Sequence, residues 1–174
     1  MHQLMLLRHA KSASNAAGIA DRSRPLTRRG ERAAASVSGA IAGLRLSPEL
    51  ILASPARRTM QTLAALAPLP GGTHIETPEA LYLADTESLL ALLRGIPEPV
   101  ASVLIIGHNP GLQELAVLLA RGRPETTDTR RLAQSFPTAA FAEFALTASW
   151  AELGPEAARL VRLLLPRDLS EHAA

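Results

Sequence analysis

The sequence predicts an α/β protein: a three-layer α/β/α sandwich with a mostly parallel central sheet and one late antiparallel strand. Three observations predict it. Short apolar runs suited to strands alternate with amphipathic stretches along the 174 residues, the pattern of a helix-covered parallel sheet. The run Val103-Leu104-Ile105-Ile106 is apolar at every position, as a strand covered on both faces requires. The last apolar runs, Ala139 to Leu146 and Arg159 to Leu165, read as late strands, paired as a hairpin around Ser149–Leu153.

The elements follow in order. Gln3 to Leu7 is the first strand, and Ala10 to Leu26 is polar and loop-like, with Pro25 discouraging helix before it. Thr27 is a good helix N-cap, and Ala33, Ala34, Val37, Ala40, Ile41 and Leu44 recur at helical spacing, so a helix spans Arg28 to Leu44. Leu50 to Ala53 is the second strand. Ser54 or Pro55 opens a helix running to about Ala67, which Pro68 to Gly72 breaks. His74 to Thr77 is a short strand, and Thr86 caps a short helix to Arg94. Ser102 to Ile106 is the central strand. Gly107 to Gly111 turns the chain into a helix ending near Ala120, and Arg121 to Thr138 is a loop with a short helix. The tail from Arg167 to Ala174 is expected to fray. With no repeat, low-complexity stretch or linker, one domain over residues 1–174 is expected.

Composition narrows the function. Hydrophobic residues make up 47% and aromatics 3%, so the core must be built from Leu, Ala, Val and Ile. The net charge is +2 and Lys11 is the single lysine, so the basic side is almost all Arg. Neither a dense basic stripe nor stacking aromatics are evident, which argues against nucleic acid as a partner. The absence of Cys excludes disulfides, thiolate chemistry and Cys-based zinc sites. No apolar run approaches the ~20 residues of a membrane helix, and the first residues do not read as a signal peptide. A cytoplasmic protein without membrane partners is therefore expected.

The chemistry concentrates at strand ends. Arg8-His9 follows the first strand, Ser54 to Arg58 the second, and Gly107-His108-Asn109 the central one. In such a sheet these ends share one crevice. A guanidinium binds phosphate oxygens through paired hydrogen bonds, and an imidazole can attack phosphorus or carry a proton near neutral pH.

Three segments in this order, RHAKS (Arg8–Ser12), SPARRTMQT (Ser54–Thr62) and GHNPG (Gly107–Gly111), resemble the histidine phosphatase superfamily, with its phosphoglycerate mutase-like fold. RPLTRRG (Arg24–Gly30) and LYLAD (Leu81–Asp85) are weaker matches, and the chain is most similar to the compact SixA-type phosphohistidine phosphatases. The resemblance implies that His9 is the nucleophile and forms a transient phosphohistidine. One ring nitrogen must then be unprotonated while the other donates, most simply to a backbone carbonyl. It implies that Arg8, Arg58 and His108 line the phosphate pocket with positive charge, and it selects Arg58 rather than Arg57. Asn109 donates to substrate, holds the loop or caps the following helix, and Ser12 joins the substrate-binding set. No metal and no cofactor are expected.

The remaining candidates are weaker. His2, His74 and His172 read as ordinary residues, and Arg121, Arg123, Arg130 and Arg131 read as a solvated loop or a dock for an acidic protein surface. Relatives that cleave phosphate esters use an acid to protonate the leaving oxygen. Glu79, Asp85 and Glu87 lie in the equivalent region, but none fits well. Phosphohistidine needs less help, because an imidazole protonated on its far nitrogen leaves as a neutral ring. The chain also shows no large insert to form a lid. The expected function is removal of phosphate from phosphohistidine on a protein such as a phosphotransfer domain. The alternatives are a phosphatase for a small phosphate ester or nucleotide, and a non-catalytic phosphate-binding docking module.

Overall fold

Alternation along the first strand, β1 (Gln3–Arg8), sends Leu4 and Leu6 to one face and Met5 and Leu7 to the other, and all four are buried. A strand of this kind needs cover on both sides, and the computed structural model, which describes residues 2–14 and 18–170, supplies it. After β1 a polar segment with one 3-10 turn at Asp21–Ser23 leads to α1 (Arg28–Gly43). There follow β2 (Leu50–Ala53), α2 (Arg57–Ala64), β3 (His74–Glu76), α3 (Thr86–Arg94), β4 (Ser102–Gly107) and α4 (Gly111–Leu119). The chain continues through α5 (Thr127–Gln134), β5 (Phe141–Leu146), β6 (Ala158–Leu164) and α6 (Pro166–Ser170).

The sheet order is β3-β2-β4-β1-β5-β6. β3, β2, β4 and β1 are parallel, β5 is antiparallel to β1, and β6 is antiparallel to β5. The expected sandwich with one antiparallel strand is therefore the observed one. Leu4, Leu6, Val103 and Ile105 pack with α3, α4 and Leu132 of α5 on one face. Met5, Leu7, Leu104 and Ile106 pack with α1 and α2 on the other. Truncating any of these buried leucines to Ala typically costs about 2–5 kcal/mol. Because β1 feeds α1 on one face and its neighbour β4 feeds α4 on the opposite face, the chain changes sides between them, and a crevice opens at that point.

Several local boundaries differ from the sequence expectation, mostly by one or two residues: α1 ends at Gly43, β5 starts at Phe141 and β6 spans Ala158–Leu164. α2 starts at Arg57 with Ala56 as its N-cap, not at Ser54 or Pro55, and it ends at Ala64 rather than near Ala67. The Ser54 hydroxyl does not cap it by bonding its first turn strongly, because it pairs with His108 at 2.7 Å. The cap of α3 is Asp85, which accepts from the Ser88 N–H at 2.8 Å, so Thr86 is the first helical residue. The tail does not simply fray: residues 166–170 form α6, and Asp168 accepts from Arg131 at 2.6 and 2.7 Å. Residues 171–174, and with them His172, lie outside the described residues.

Candidate active site

Strand register brings the three motifs together. Arg8 at the end of β1 pairs with Gly107 at the end of β4, and Ile106 pairs with Ala53 at the end of β2. The residues just beyond face one cleft of about 610 Å3, whose lining includes Arg8, His9, Ser12, Arg58, His108 and Asn109. All the candidate site residues therefore meet there. Arg57 points to solvent while Arg58, one helical step of ~100° away, is 2% exposed.

The motif residues also hold the scaffold. Thr62 Oγ1 accepts from the Ala10 N–H at 3.0 Å, and Gln61 Oε1 accepts from the Leu26 N–H at 2.8 Å. The Gln and Thr of SPARRTMQT thus fix the loop after β1 and the approach to α1.

His9 is buried, and its Nδ1 lies 2.8 Å from the Ala10 carbonyl. A carbonyl only accepts, so Nδ1 carries the proton and Nε2 keeps its lone pair. Arg58 Nε donates to that Nε2 at 3.3 Å. Burial, followed by the charges of Arg58, Arg8 and Arg24, moves the His9 pKa down to about 4, against the opposing bond to Ala10. At neutral pH the ring is uncharged.

His108 is fixed in the same manner. Arg58 Nη2 lies 3.2 Å from Nδ1, and since a guanidinium only donates, Nδ1 accepts and Nε2–H donates to Ser54 Oγ at 2.7 Å. Burial first, then His9 and Arg58, lowers its pKa to about 3. The positive charge expected at His108 is thus absent at neutral pH; the ring orients Arg58 instead.

Arg58 is the hub. Beyond the two imidazoles it donates to the Asp21 carbonyl at 2.7 Å and to Asp21 Oδ2 at 3.1 Å. Asp21 also accepts from the Tyr82 hydroxyl at 2.6 Å and from Arg24 at 2.5 and 3.1 Å. The Tyr82 bond, with those of Arg24 and Arg58, holds the Asp21 carboxyl far below the usual carboxylate range. Tyr82 stands edge-on to His108, with ring centres 5.7 Å apart. Asp21 and the role of Ser54 were not singled out from sequence, and Arg24 lay only at the start of the weak RPLTRRG match. Asp21 sits in an irregular polar segment whose spacing carries no signal, whereas Tyr82 lay within the weak LYLAD match.

Arg8 Nη1 and Asn109 Nδ2 both donate to the Phe136 carbonyl, at 3.0 and 2.9 Å. Asn109 also donates to Gln113 at 3.2 Å and does not cap α4, whose N-cap is Pro110. Arg8 Nε and Asn109 Oδ1 are the buried side-chain polar atoms left without a partner among the described residues. Both belong to residues that line the cleft, and such atoms in a native fold call for a functional explanation. Ser12 Oγ accepts from Arg24 at 3.3 Å.

The weaker candidates go elsewhere. Glu79 pairs with Arg22 at 2.6 Å, Asp85 caps α3, and Glu87 is exposed on its first turn; none lines the cleft. Arg130 and Arg131 pair with Glu125 and Asp168, while Arg123 donates weakly to Thr147 at 3.4 Å. His2 bonds the Glu98 carbonyl and His74 pairs with Glu76, both away from the cleft. Among the described residues no group of three or more His, Asp or Glu is arranged to hold a metal ion, and no helix is long and apolar enough to cross a membrane.

A cleft that gathers four cations, Arg8, Lys11, Arg24 and Arg58, and two neutral imidazoles at the carboxyl ends of a parallel sheet defines a phosphoryl-handling α/β protein. Comparison with known proteins agrees. Residues 4–82 match the model of the histidine phosphatase superfamily, branch 1. An uncharacterized protein of Mycobacterium tuberculosis is 33% identical over 166 residues, which cover 92% of this chain and all 100% of the relative. The phosphohistidine phosphatase SixA of Escherichia coli is 32% identical over 124 residues, covering 69% of this chain and 75% of that protein. A solved structure of a candidate phosphohistidine phosphatase SixA from Nakamurella multipartitia superposes with a TM-score of 0.83 at 28% identity, covering 95% of this chain and 96% of the other. The chain belongs to the histidine phosphatase superfamily and is a phosphatase of the SixA type.

Proposed function

We propose that this phosphatase removes phosphate from a phosphohistidine carried by another protein, such as a phosphotransfer domain in the cytoplasm, with His9 as its nucleophile. One observation carries the reading. Asp21 is the sole carboxylate among the described residues lining the cleft, and Tyr82, Arg24 and Arg58 hold it ionised. An ionised carboxylate cannot protonate an alkoxide, so ester cleavage lacks its acid. A phosphohistidine does not require one.

The chemistry balances without further reagents. The Nε2 pair of His9 forms a bond to phosphorus as the substrate P–N bond breaks. The departing electron pair returns to the substrate imidazole, which already carries a proton on its far nitrogen and leaves neutral. Arg8 and Arg58 stabilise the charge on the transferring oxygens. The charges of Arg58 and Arg8 depress the His108 pKa. A phosphate dianion beside them opposes that effect and moves His108 towards a donor. Water then attacks the phosphoryl group on His9, its proton stays with the released phosphate, and Nε2 regains its pair. Asn109 and Ser12 complete the phosphate-facing lining.

The test is phosphate release from a histidine-phosphorylated phosphotransfer domain beside a panel of sugar phosphates and nucleotides, with His9→Ala as control. Fast release from the protein alone is expected. Preferred turnover of a small ester overturns the substrate assignment, and substantial activity in His9→Ala overturns the nucleophile.

A further inference from the structure

A second groove of about 400 Å3 lies beside the catalytic cleft, and Lys11 and Thr138 line both. Its walls come from distant parts of the chain: Arg29 of α1, Arg131 of α5, and Arg167 of α6. Four of its lining residues are cations and none is a carboxylate. Asp168 offsets Arg131 at 2.6 Å and approaches Arg167 only to 3.8 Å. Lys11 and Arg29 are exposed and form no ion pair with any described residue. Two cations without an ion pair, Lys11 and Arg29, thus stand together with Arg167 in one groove at the mouth of the site. Between the cations the lining mixes apolar residues, among them Pro137, Leu165 and Pro166, with the polar Gln134, Ser135 and Thr138. A free metabolite needs no such extension of the cleft. A mixed basic and apolar groove suits a protein surface.

We propose that this groove docks an acidic face of the protein that carries the phosphohistidine, so that Lys11 joins the docking surface to the cleft. The proposal rests on the protein-substrate reading above. Docking at exposed cations acts chiefly on the encounter rate and is screened by salt, with a Debye length of about 10 Å at 0.1 M. The groove therefore acts on kcat/KM for the protein substrate and leaves small substrates untouched.

Arg29→Glu and Arg167→Glu test it. Both sites are exposed and lie outside the catalytic cleft, and a Glu in the first turn of α1 suits the helix dipole, so the fold is retained. The substrates are a histidine-phosphorylated phosphotransfer domain and free phosphoramidate. We expect each reversal to lower kcat/KM on the protein about tenfold at low salt, to flatten its salt dependence, and to leave phosphoramidate hydrolysis within about twofold. A deca-glutamate peptide should inhibit turnover of the protein substrate but not of phosphoramidate. Unchanged kcat/KM on the protein, or equal losses on both substrates, overturns the docking surface alone. A change of oligomeric state in Arg29→Glu assigns the groove to a second copy of the chain and also overturns it. Wild-type enzyme that hydrolyses phosphoramidate yet releases nothing from any phosphohistidine protein sinks the substrate reading and the groove with it.

Discussion

Arg58 Nε donates to the lone pair of His9 Nε2 at 3.3 Å, so the residue proposed to neutralise phosphate also aims the nitrogen proposed to attack it. The same guanidinium reaches His108 Nδ1 at 3.2 Å, and its Nη1 and Nη2 also donate to Asp21. A planar fork serves these partners at once, and a lysine ammonium on a flexible stem cannot. Arg58→Ala is expected to lower kcat by about 10²–10³, as removal of a transition-state charge contact does. Arg58→Lys should recover only a small part of that loss. Single-turnover phosphate release checks both, and near-wild-type kcat in Arg58→Lys would show that charge alone suffices.

The two imidazoles make stability depend on pH. Their folded pKa values, about 4 for His9 and about 3 for His108, lie below the 6.5 of an unfolded histidine. Below pH 6.5 the unfolded chain binds more protons, so stability is full above that pH and is lost as pH falls towards about 4 and then about 3. For His9 alone the loss is on the order of 3 kcal/mol. Asp21 adds its own loss only below the unfolded carboxylate value of 3.8, outside most of this window. Urea unfolding at pH 7 and pH 4.5 should show a lower midpoint at pH 4.5, and His9→Asn should shrink the difference. By the same logic the acid limb of kcat/KM should fall near pH 4 and not near 6.5. A limb near 6.5 that persists with substrates whose phosphoryl group does not titrate there would mean that His9 is not held neutral by its surroundings.

Tyr82 and Asp21 form the second prediction about charge. The hydroxyl bond at 2.6 Å is the largest cause of the lowered Asp21 pKa. Tyr82→Phe should raise that pKa, measured by carboxyl chemical shift against pH, and should cost about 1 kcal/mol of stability. Arg58 loses part of its anchor in this variant, so kcat should fall while KM for a small substrate changes little. An unmoved Asp21 titration would show that the arginines hold it unaided.

The strands and helices were legible because burial imposes periods on the sequence: β2 is found at the predicted Leu50–Ala53 and α1 starts at the predicted Arg28. Arg8, His9 and His108 were legible because each stands at a strand end, whereas Arg58 was separated from Arg57 only by the family resemblance. Asp21 and Ser54 as site members were not legible. Asp21 reaches Arg58 across 37 positions from an irregular segment, and no local pattern encodes such a contact. The charge state of His108 was also hidden, because burial and neighbours set it, and neither is a property of the GHNPG string. The α3 cap was misassigned by one residue because Asp85 and Thr86 are both good N-cap types, and only the backbone geometry chose Asp85.

Two glycines on one helix give the last prediction. A Cβ on Gly30 would lie 2.0 Å from the Lys11 carbonyl oxygen, whereas one on Gly39 would meet nothing within 4 Å. Both lie in α1, so the gain in helix propensity from Ala, up to ~1 kcal/mol, is common to them. Gly39→Ala should therefore be stabilising by up to about that amount and leave activity unchanged. In Gly30→Ala the colliding atom is backbone, so α1 and the His9–Ser12 loop must separate. Overpacking of this kind costs about 1–3 kcal/mol, which outweighs the propensity gain. The loop is also tied to α1 through Lys11, whose carbonyl accepts from the Thr27 N–H at 2.9 Å, so the displacement reaches His9 two residues away. Gly30→Ala should lower the Tm and reduce turnover together, measured by thermal unfolding and phosphate release. Wild-type turnover in a destabilised Gly30→Ala would show that the loop keeps His9 in place without its contact to α1.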